Sequence, residues 1–282
     1  MSTRIIVDST VDMAERYAKK AIVVPLSLHF GEETFIDGVT IDRRRFYERL
    51  VVESDVLPTT SQPSPAAFEK AFDEVTAAGD SAVVLTVSSK VSGTFQSANI
   101  AAAEYENIFV VDTCSASIGS GILAEYAIDC AERGMPAAEL AAHLEQKRNN
   151  ISVIALLDTL EYLKKGGRIS KTTAFAGSLL GIHPVITMEN GEVALVGKAR
   201  GSKQGNNLLV QKIEQSGGVD FSNPILLGYT GLDDTLLQKY KEDSKHIWQQ
   251  GRAELDSVCV CSVIGTYGGP GAVIAAFFKK NE

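Results

Sequence analysis

Short apolar runs that break straight into hydroxyl-rich stretches recur through the first half of this chain. Ala82-Val83-Val84-Leu85 runs into Ser88, Ser89, Ser92, Gly93 and Thr94. Ile5-Ile6-Val7 runs into Asp8-Ser9-Thr10, and Ile108 to Val111 into "DTCSASIGSG". Thr59-Thr60-Ser61-Gln62 precedes Ser64 and Pro65, an N-cap and an N1 residue for a further helix. Unalternated apolar runs suit strands buried on both faces, and helical stretches between them supply crossovers. This βαβ rhythm predicts a parallel sheet covered by helices on both sides.

Strands are expected at 5–7, 21–28 (interrupted by Pro25), 82–87 and 108–111. Helices are expected from Asp42, with Phe46, Leu50 and Val51 turned inward, and from Ser64 to Gly79 with Phe68, Ala71, Phe72 and Val75 inward. Further helices are expected at 96–105, 120–133 and 136–148. The second half reads differently. Ser152 to Leu157 suits a strand, residues 160–163 a helix that "KKGGRIS" breaks, and Asn190-Gly191 the turn of a hairpin. A helix over 203–216 follows. "PILLGYTG" and "SVCVCSVIG" read as strands around a helix near 234–250, and "AVIAAFFK" as a last strand. The expected fold is α/β in two domains: an N-terminal parallel-sheet α/β/α domain over 1–150 and a C-terminal mixed-sheet α+β domain over 151–282.

Composition narrows the function. The 282 residues are 45% apolar with a net charge of −8, a poor match for nucleic acid, which needs clustered Lys and Arg. No apolar run approaches the ~18 residues of a spanning helix, and the N-terminus lacks a signal-like apolar region. A cytoplasmic protein is expected. Cys114, Cys130, Cys259 and Cys261 read as free thiols, with Cys259 and Cys261 on one face of a strand. No metal is expected, since the four histidines have no ligand spacing.

Parallel strands deliver their C-terminal loops to one edge, where ligands usually bind. Hydroxyls and helix N-termini there can hold a carboxylate or phosphate, or can simply cap helices. Both readings stand on spacing alone. Gly119-Ser120-Gly121 with Ala124 matches G-x-G-x-x-A, but too far past its strand for a dinucleotide fingerprint. No G-x-S-x-G elbow is present. Asp8 and Asp112 end strands, and suit either general bases or loop anchors. Arg43 to Arg45 read as a solvated helix face. The clusters around Lys164-Lys165-Arg168 and Lys198-Arg200-Lys203 suit a solvated surface or a bound anion.

Taken in order, "DST", "TTSQPSP", "SSKVSGTFQSA", "LEYLKKGGRIS", "GSLLGIHPVI", "KARGSK" and "VIGTYGGPGAV" resemble the DegV family over nearly the whole chain. Members of that family include the fatty-acid-binding subunit of bacterial fatty acid kinase. The resemblance implies a non-enzymatic protein that buries one long-chain fatty acid in an apolar tunnel. It would present the carboxylate to a kinase subunit, which makes an acyl phosphate for phospholipid synthesis. It implies no cofactor beyond the bound lipid, and allows transient membrane contact. Carried over by motif, the carboxylate falls to Thr60 and Ser92, with Ser61, Gly93, Thr94 and Thr266 beside them. Tyr267 stands where the family motif carries a histidine, and Gly268 where it carries a threonine. A tyrosine hydroxyl donates one hydrogen bond but carries no positive charge at pH 7. Arg168 and Arg200 match basic positions at the ligand entrance, facing ligand or partner.

Two other readings remain. One is a lipid-binding protein uncoupled from any kinase. The other is an enzyme on a small anionic substrate, using Asp8 or Asp112 as base. For the lipid reading, ~14 buried methylenes would contribute on the order of 11 kcal/mol gross, against roughly 1.5–3 kcal/mol per hydrogen bond to the charged head.

Overall fold

The computed structural model describes residues 2–53, 56–169, 181–248 and 255–280. Gly177 to Leu180 of "GSLLGIHPVI", Ser170 of "KKGGRIS" and the end of the helix expected near 234–250 lie outside these residues.

The first half builds the expected parallel sheet. Strand β1 (Thr3–Asp8) is followed by the short helix α1 (Glu15–Ala18) and β2 (Ala21–Val24). Pro25 then splits the expected strand in two. It has no N–H to extend a ladder. The chain leaves the sheet there, and β3 (Ser27–Phe30) joins a different one with β4 (Glu33–Ile36). Helix α2 (Arg43–Glu48) is capped by Asp42, whose side chain accepts from the Arg45 N–H. Its continuation over Arg49–Glu53 widens to a π turn, so Val51, expected inward, is 52% exposed.

Strand β5 (Thr59–Ser61) completes a small antiparallel sheet in the order β4-β3-β5. Its strands of three and four residues leave too little period to read from sequence. Helix α3 (Pro65–Ala77) starts on Ser64, whose hydroxyl accepts from the Ala67 N–H, and gives way to Gly79 at φ +73°. Strand β6 (Ser81–Thr86), helix α4 (Thr94–Ala102), strand β7 (Ile108–Asp112), and helices α5 (Ile118–Glu132) and α6 (Ala137–Lys147) follow.

The parallel sheet runs β2-β1-β6-β7. Its side chains alternate between two cores. Ile6, Ala82 and Val84 meet Phe68, Phe72 and Ala98 on one face. Ile5, Val7, Val83 and Leu85 meet Ile122, Ala127, Leu140 and Leu144 on the other.

The second half contributes β8 (Ile151–Leu156), α7 (Glu161–Lys165), β9 (His183–Glu189), β10 (Glu192–Ala199), α8 (Gly201–Gln215), β11 (Ile225–Tyr229), α9 (Thr235–Asp243), α10 (Lys245–Trp248), β12 (Ser257–Cys259), α11 (Ser262–Gly268) and β13 (Val273–Phe278). Its sheet runs β10-β9-β8-β13-β11-β12, antiparallel except for the β11–β12 pair. Asn190 at φ +51° and Gly191 at φ +82° make the β9–β10 turn. Helices α8 and α9 cover the outer face through Ile154, Leu156, Leu209 and Leu237.

"SVCVCSVIG" is only partly a strand. The chain leaves β12 at Cys259 and turns into α11, so Cys259 and Cys261 do not share a strand face. Gly265 explains the close packing: a Cβ there would meet the Tyr47 hydroxyl at 2.5 Å. Among the described residues no helix is long and apolar enough to cross a membrane.

Candidate functional site

The loops after β1, β6 and β7 converge, as parallel strands require. Asp8 and Asp112 serve them as anchors. Asp8 is fully buried and accepts from the Thr10 N–H (2.8 Å), the Thr10 hydroxyl (2.5 Å) and the Val87 N–H (2.7 Å). Burial raises its pKa, and those three donors oppose the rise. Asp112 accepts from the Cys114 N–H at 2.8 Å and from the Ser89 N–H. Both carboxylates are occupied by donors of their own loops and of the loop after β6, an arrangement that suits anchors rather than bases.

Facing these loops is the inner side of the mixed sheet. Between them lies a cavity of about 950 Å³, open solvent at its mouth included. Strand alternation selects its apolar wall: Val153, Ala155 and Leu157 point inward from β8 and its end, while Ile154 and Leu156 point to α8. Ile186 and Met188 from β9 and Ile274 from β13 extend that wall.

The cavity's hydroxyls fall into two groups. Thr230 accepts from the Ala272 N–H (2.8 Å). Thr10 donates to Asp8, Ser117 to Asp12 (2.8 Å) and Thr187 to the Val153 carbonyl (2.7 Å), so the O–H groups of these three are committed to the fold. Among the described residues, those of Thr60, Ser92 and Tyr267 are not donated to the backbone or to a carboxylate. The Thr60 and Tyr267 hydroxyls meet at 2.6 Å, and Ser92 meets the Thr94 hydroxyl at 2.9 Å. Two hydroxyls sharing one hydrogen bond keep one O–H to donate elsewhere.

Arg168 completes this end. Its guanidinium lies 4.8 Å from the centre of the Tyr267 ring, a cation–π contact. It donates from Nε to the Val91 carbonyl (3.2 Å) and from Nη1 to the Gly166 carbonyl (2.8 Å). Among the described residues no carboxylate pairs with it. Gly166 makes room for the stack, since a Cβ there would sit 2.4 Å from the Tyr267 ring. Among the described residues, one end of this largely apolar cavity thus offers two spare O–H donors and a cation with no carboxylate partner. That combination suits a carboxylate on a long apolar body.

Five residues named with these do not reach the cavity. Ser61 follows Thr60 in β5, so alternation turns it away, and its hydroxyl meets His29 Nε2 at 3.0 Å. The Thr94 N–H is spent on the Ser92 hydroxyl, with the Thr94 side chain buried behind it. Gly93 is the N-cap of α4 and packs on Gln62, where a Cβ would lie 2.1 Å from the amide oxygen. Thr266 donates back to the Ser262 carbonyl (3.0 Å) inside α11. Arg200 caps α8 on the outer face of the mixed sheet, its N–H held by Gln204.

The Gly119-Ser120-Gly121 motif serves packing. A Cβ on Gly121 would lie 1.8 Å from the Asp12 carbonyl oxygen, and one on Gly119 would lie 2.3 Å from the Ser115 hydroxyl. Among the described residues no group of His, Cys, Asp and Glu is placed to hold a metal ion. The sequence reading missed Asp12, which lies fully buried beside Arg43 (3.0 Å) with its pKa pushed up to about 6 by burial.

Comparison with known proteins gives a consistent picture. A family model described as an uncharacterised protein of the DegV family matches residues 2–280. A DegV domain-containing protein of Caldanaerobacter subterraneus is 31% identical over 98% of both chains. The structure resembles that of a DegV family protein from Thermus thermophilus described by its fatty acid binding, with a TM-score of 0.87, 30% identity, and coverage of 99% of this chain and 100% of the other. It also resembles a stearic-acid-binding protein from Eubacterium ventriosum, with a TM-score of 0.85 and 25% identity over 98% of both chains. These solved relatives are described by what they bind, not by a reaction.

Proposed function

The chain belongs to the DegV family, and from that premise we propose that it binds one long-chain fatty acid without transforming it. The observation that carries this reading is the largely apolar cavity in which Thr60, Ser92, Tyr267 and Arg168 gather at one end. The acyl chain lies along the inner face of the mixed sheet. The carboxylate accepts from the Thr60–Tyr267 pair, from Ser92 and from the guanidinium. Most of the affinity comes from the chain, at about 0.8 kcal/mol per buried methylene. The donors decide which end faces out. Mass spectrometry of the purified protein, native and then denatured, tests this. A bound mass that yields a C14–C18 fatty acid on denaturation is the expected result. A ligand-free mass that incubation with fatty acids leaves unchanged would overturn the reading.

Presentation to a kinase is a separate step. A cytoplasmic kinase subunit would phosphorylate the exposed carboxylate toward phospholipid synthesis. Tyr267 favours a second reading, a lipid carrier uncoupled from a kinase, because a neutral hydroxyl replaces the group expected at that position. Acyl phosphate formed from this protein, palmitate, ATP and a fatty acid kinase subunit would support coupling. Binding without turnover in that mixture would support the carrier.

A further inference from the structure

We propose that Asp12 is the positioning residue of the cavity, a buried clasp that holds three separate pieces of its wall and so sets how fast a bound lipid leaves. The inference rests on the fatty-acid reading above. Asp12 lies two residues beyond Thr10, which lines the cavity. Its Oδ2 accepts from the Ser117 hydroxyl at 2.8 Å, and Ser117 lines the cavity from the loop after β7. Its Oδ1 accepts from the Cys261 N–H at 2.9 Å. Cys261 leads into α11, whose Val263, Ile264 and Tyr267 line the same space. Arg43 of α2 supplies the counter-charge, donating to Oδ1 at 3.0 Å and to the Cys259 carbonyl.

Two backbone features hold the surroundings of Asp12 in place. Ser117 holds a left-handed φ of +53°, a conformation that a non-glycine residue keeps only where its neighbours enforce it. The lack of a side chain on Gly121 lets α5 close against the Asp12 carbonyl. One side chain therefore ties the first loop of the parallel sheet, the start of α5 and the start of α11. Thr10, Ser117 and Tyr267 ride on those three pieces. If the clasp opens, the walls part whatever head group is inside.

That independence of head group provides the test. Protein preloaded with radiolabelled palmitate or hexadecanol is mixed with excess albumin, and release is timed. Asp12→Ala is expected to speed release of both ligands about ten-fold or more, the scale of losing hydrogen bonds to a charged group. Asp12→Asn keeps an acceptor for Cys261 and Arg43 and gives Ser117 a donor, so it is expected to restore a rate close to that of the wild type. Release at the wild-type rate from Asp12→Ala, with only a lowered melting temperature, would make Asp12 a structural residue and overturn the proposal. So would an Asp12→Asn protein as fast as Asp12→Ala. If Asp12→Ala does not fold, Ser117→Ala removes one tie, and faster release of both ligands is again expected. Unchanged release from that variant overturns the proposal. Wild-type protein that takes up neither ligand defeats the fatty-acid reading itself, a result distinct from binding with release that ignores Asp12.

Discussion

Thr60 and Tyr267 face one another across the polar end of the cavity, and neither hydroxyl is needed to satisfy the backbone. Removing one should cost a ligand that accepts from it, and little else. Thr60→Ala and Ser92→Ala are each expected to weaken palmitate binding about ten-fold, the scale of one hydrogen bond to a charged group, and hexadecanol binding far less. Calorimetric titration with the two ligands checks this, and equal losses for both would refute a carboxylate role. Motif resemblance pointed to Thr60, Ser92, Tyr267 and Arg168. It also carried in Ser61 and Thr266, their immediate neighbours, because a motif does not record which way a strand or helix turns each side chain. Asp12 was illegible for another reason: a lone Asp in a loop gives no sign that Ser117 and Cys261 will arrive from 105 and 249 residues away. Buried carboxylates also set a pH dependence. Burial raises Glu125 to about 7 and Asp12 to about 6, so the folded chain holds protons that the unfolded chain has released. Stability from these groups is complete below about pH 4 and is lost as pH rises through 6 and 7. The melting temperature should therefore fall between pH 5 and pH 8. Glu125→Gln keeps an acceptor for the Ala14 N–H, which Glu125 holds at 2.8 Å, and should flatten that fall. A melting temperature that rises over this range in the wild type would contradict the assignment.

Among the elements, α5 bears most on the site. A helix apolar nearly all round is one buried on all sides. Helix α5 is such a helix, packing on β1 of the parallel sheet and on β8, β11 and β13 of the mixed sheet. Its first turn sits so close to Asp12 that Gly121→Ala would place a methyl carbon 1.8 Å from a carbonyl oxygen. Neither backbone can move without disturbing a sheet. Urea denaturation should show a loss of about 2–3 kcal/mol, the upper range for overpacking. A loss below 0.5 kcal/mol would show that the contact relaxes freely. The long strands and helices were legible because each carries several periods of apolar pattern. The small β4-β3-β5 sheet and α11 were not. Strands of three or four residues show no period, and "SVCVCSVIG" reads as a strand until Gly265 must fit against Tyr47. Long-range packing, not local preference, sets the turn into α11.

At the scale of the whole molecule, the cavity lies where the loops at one edge of the parallel sheet meet the inner face of the mixed sheet. The parallel sheet supplies hydroxyl-bearing loops at one edge. The mixed sheet supplies a flat apolar wall of alternate residues. Sequence periodicity announced both sheets, but not the gap between those loops and that wall. Small residues on the mixed sheet keep that gap open, Ala155 on β8 and Ala272 before β13 among them. Ala155 lies mid-strand, paired with Ile186 and Ile274, whose side chains line the same wall. On the proposed reading, a phenyl group there would project into the path of the acyl chain, from a strand that carries none of Thr60, Ser92 and Arg168. Ala155→Phe should therefore keep the preference for a carboxylate over an alcohol while shifting the accepted chains to shorter ones. Native mass spectrometry of wild type and variant, each offered an equimolar mixture of C10 to C18 fatty acids, reads that shift directly. An unchanged length profile would mean that the chain does not run along β8. Loss of the carboxylate preference as well would mean that the two ends of the cavity are not the separate head and tail sites described above.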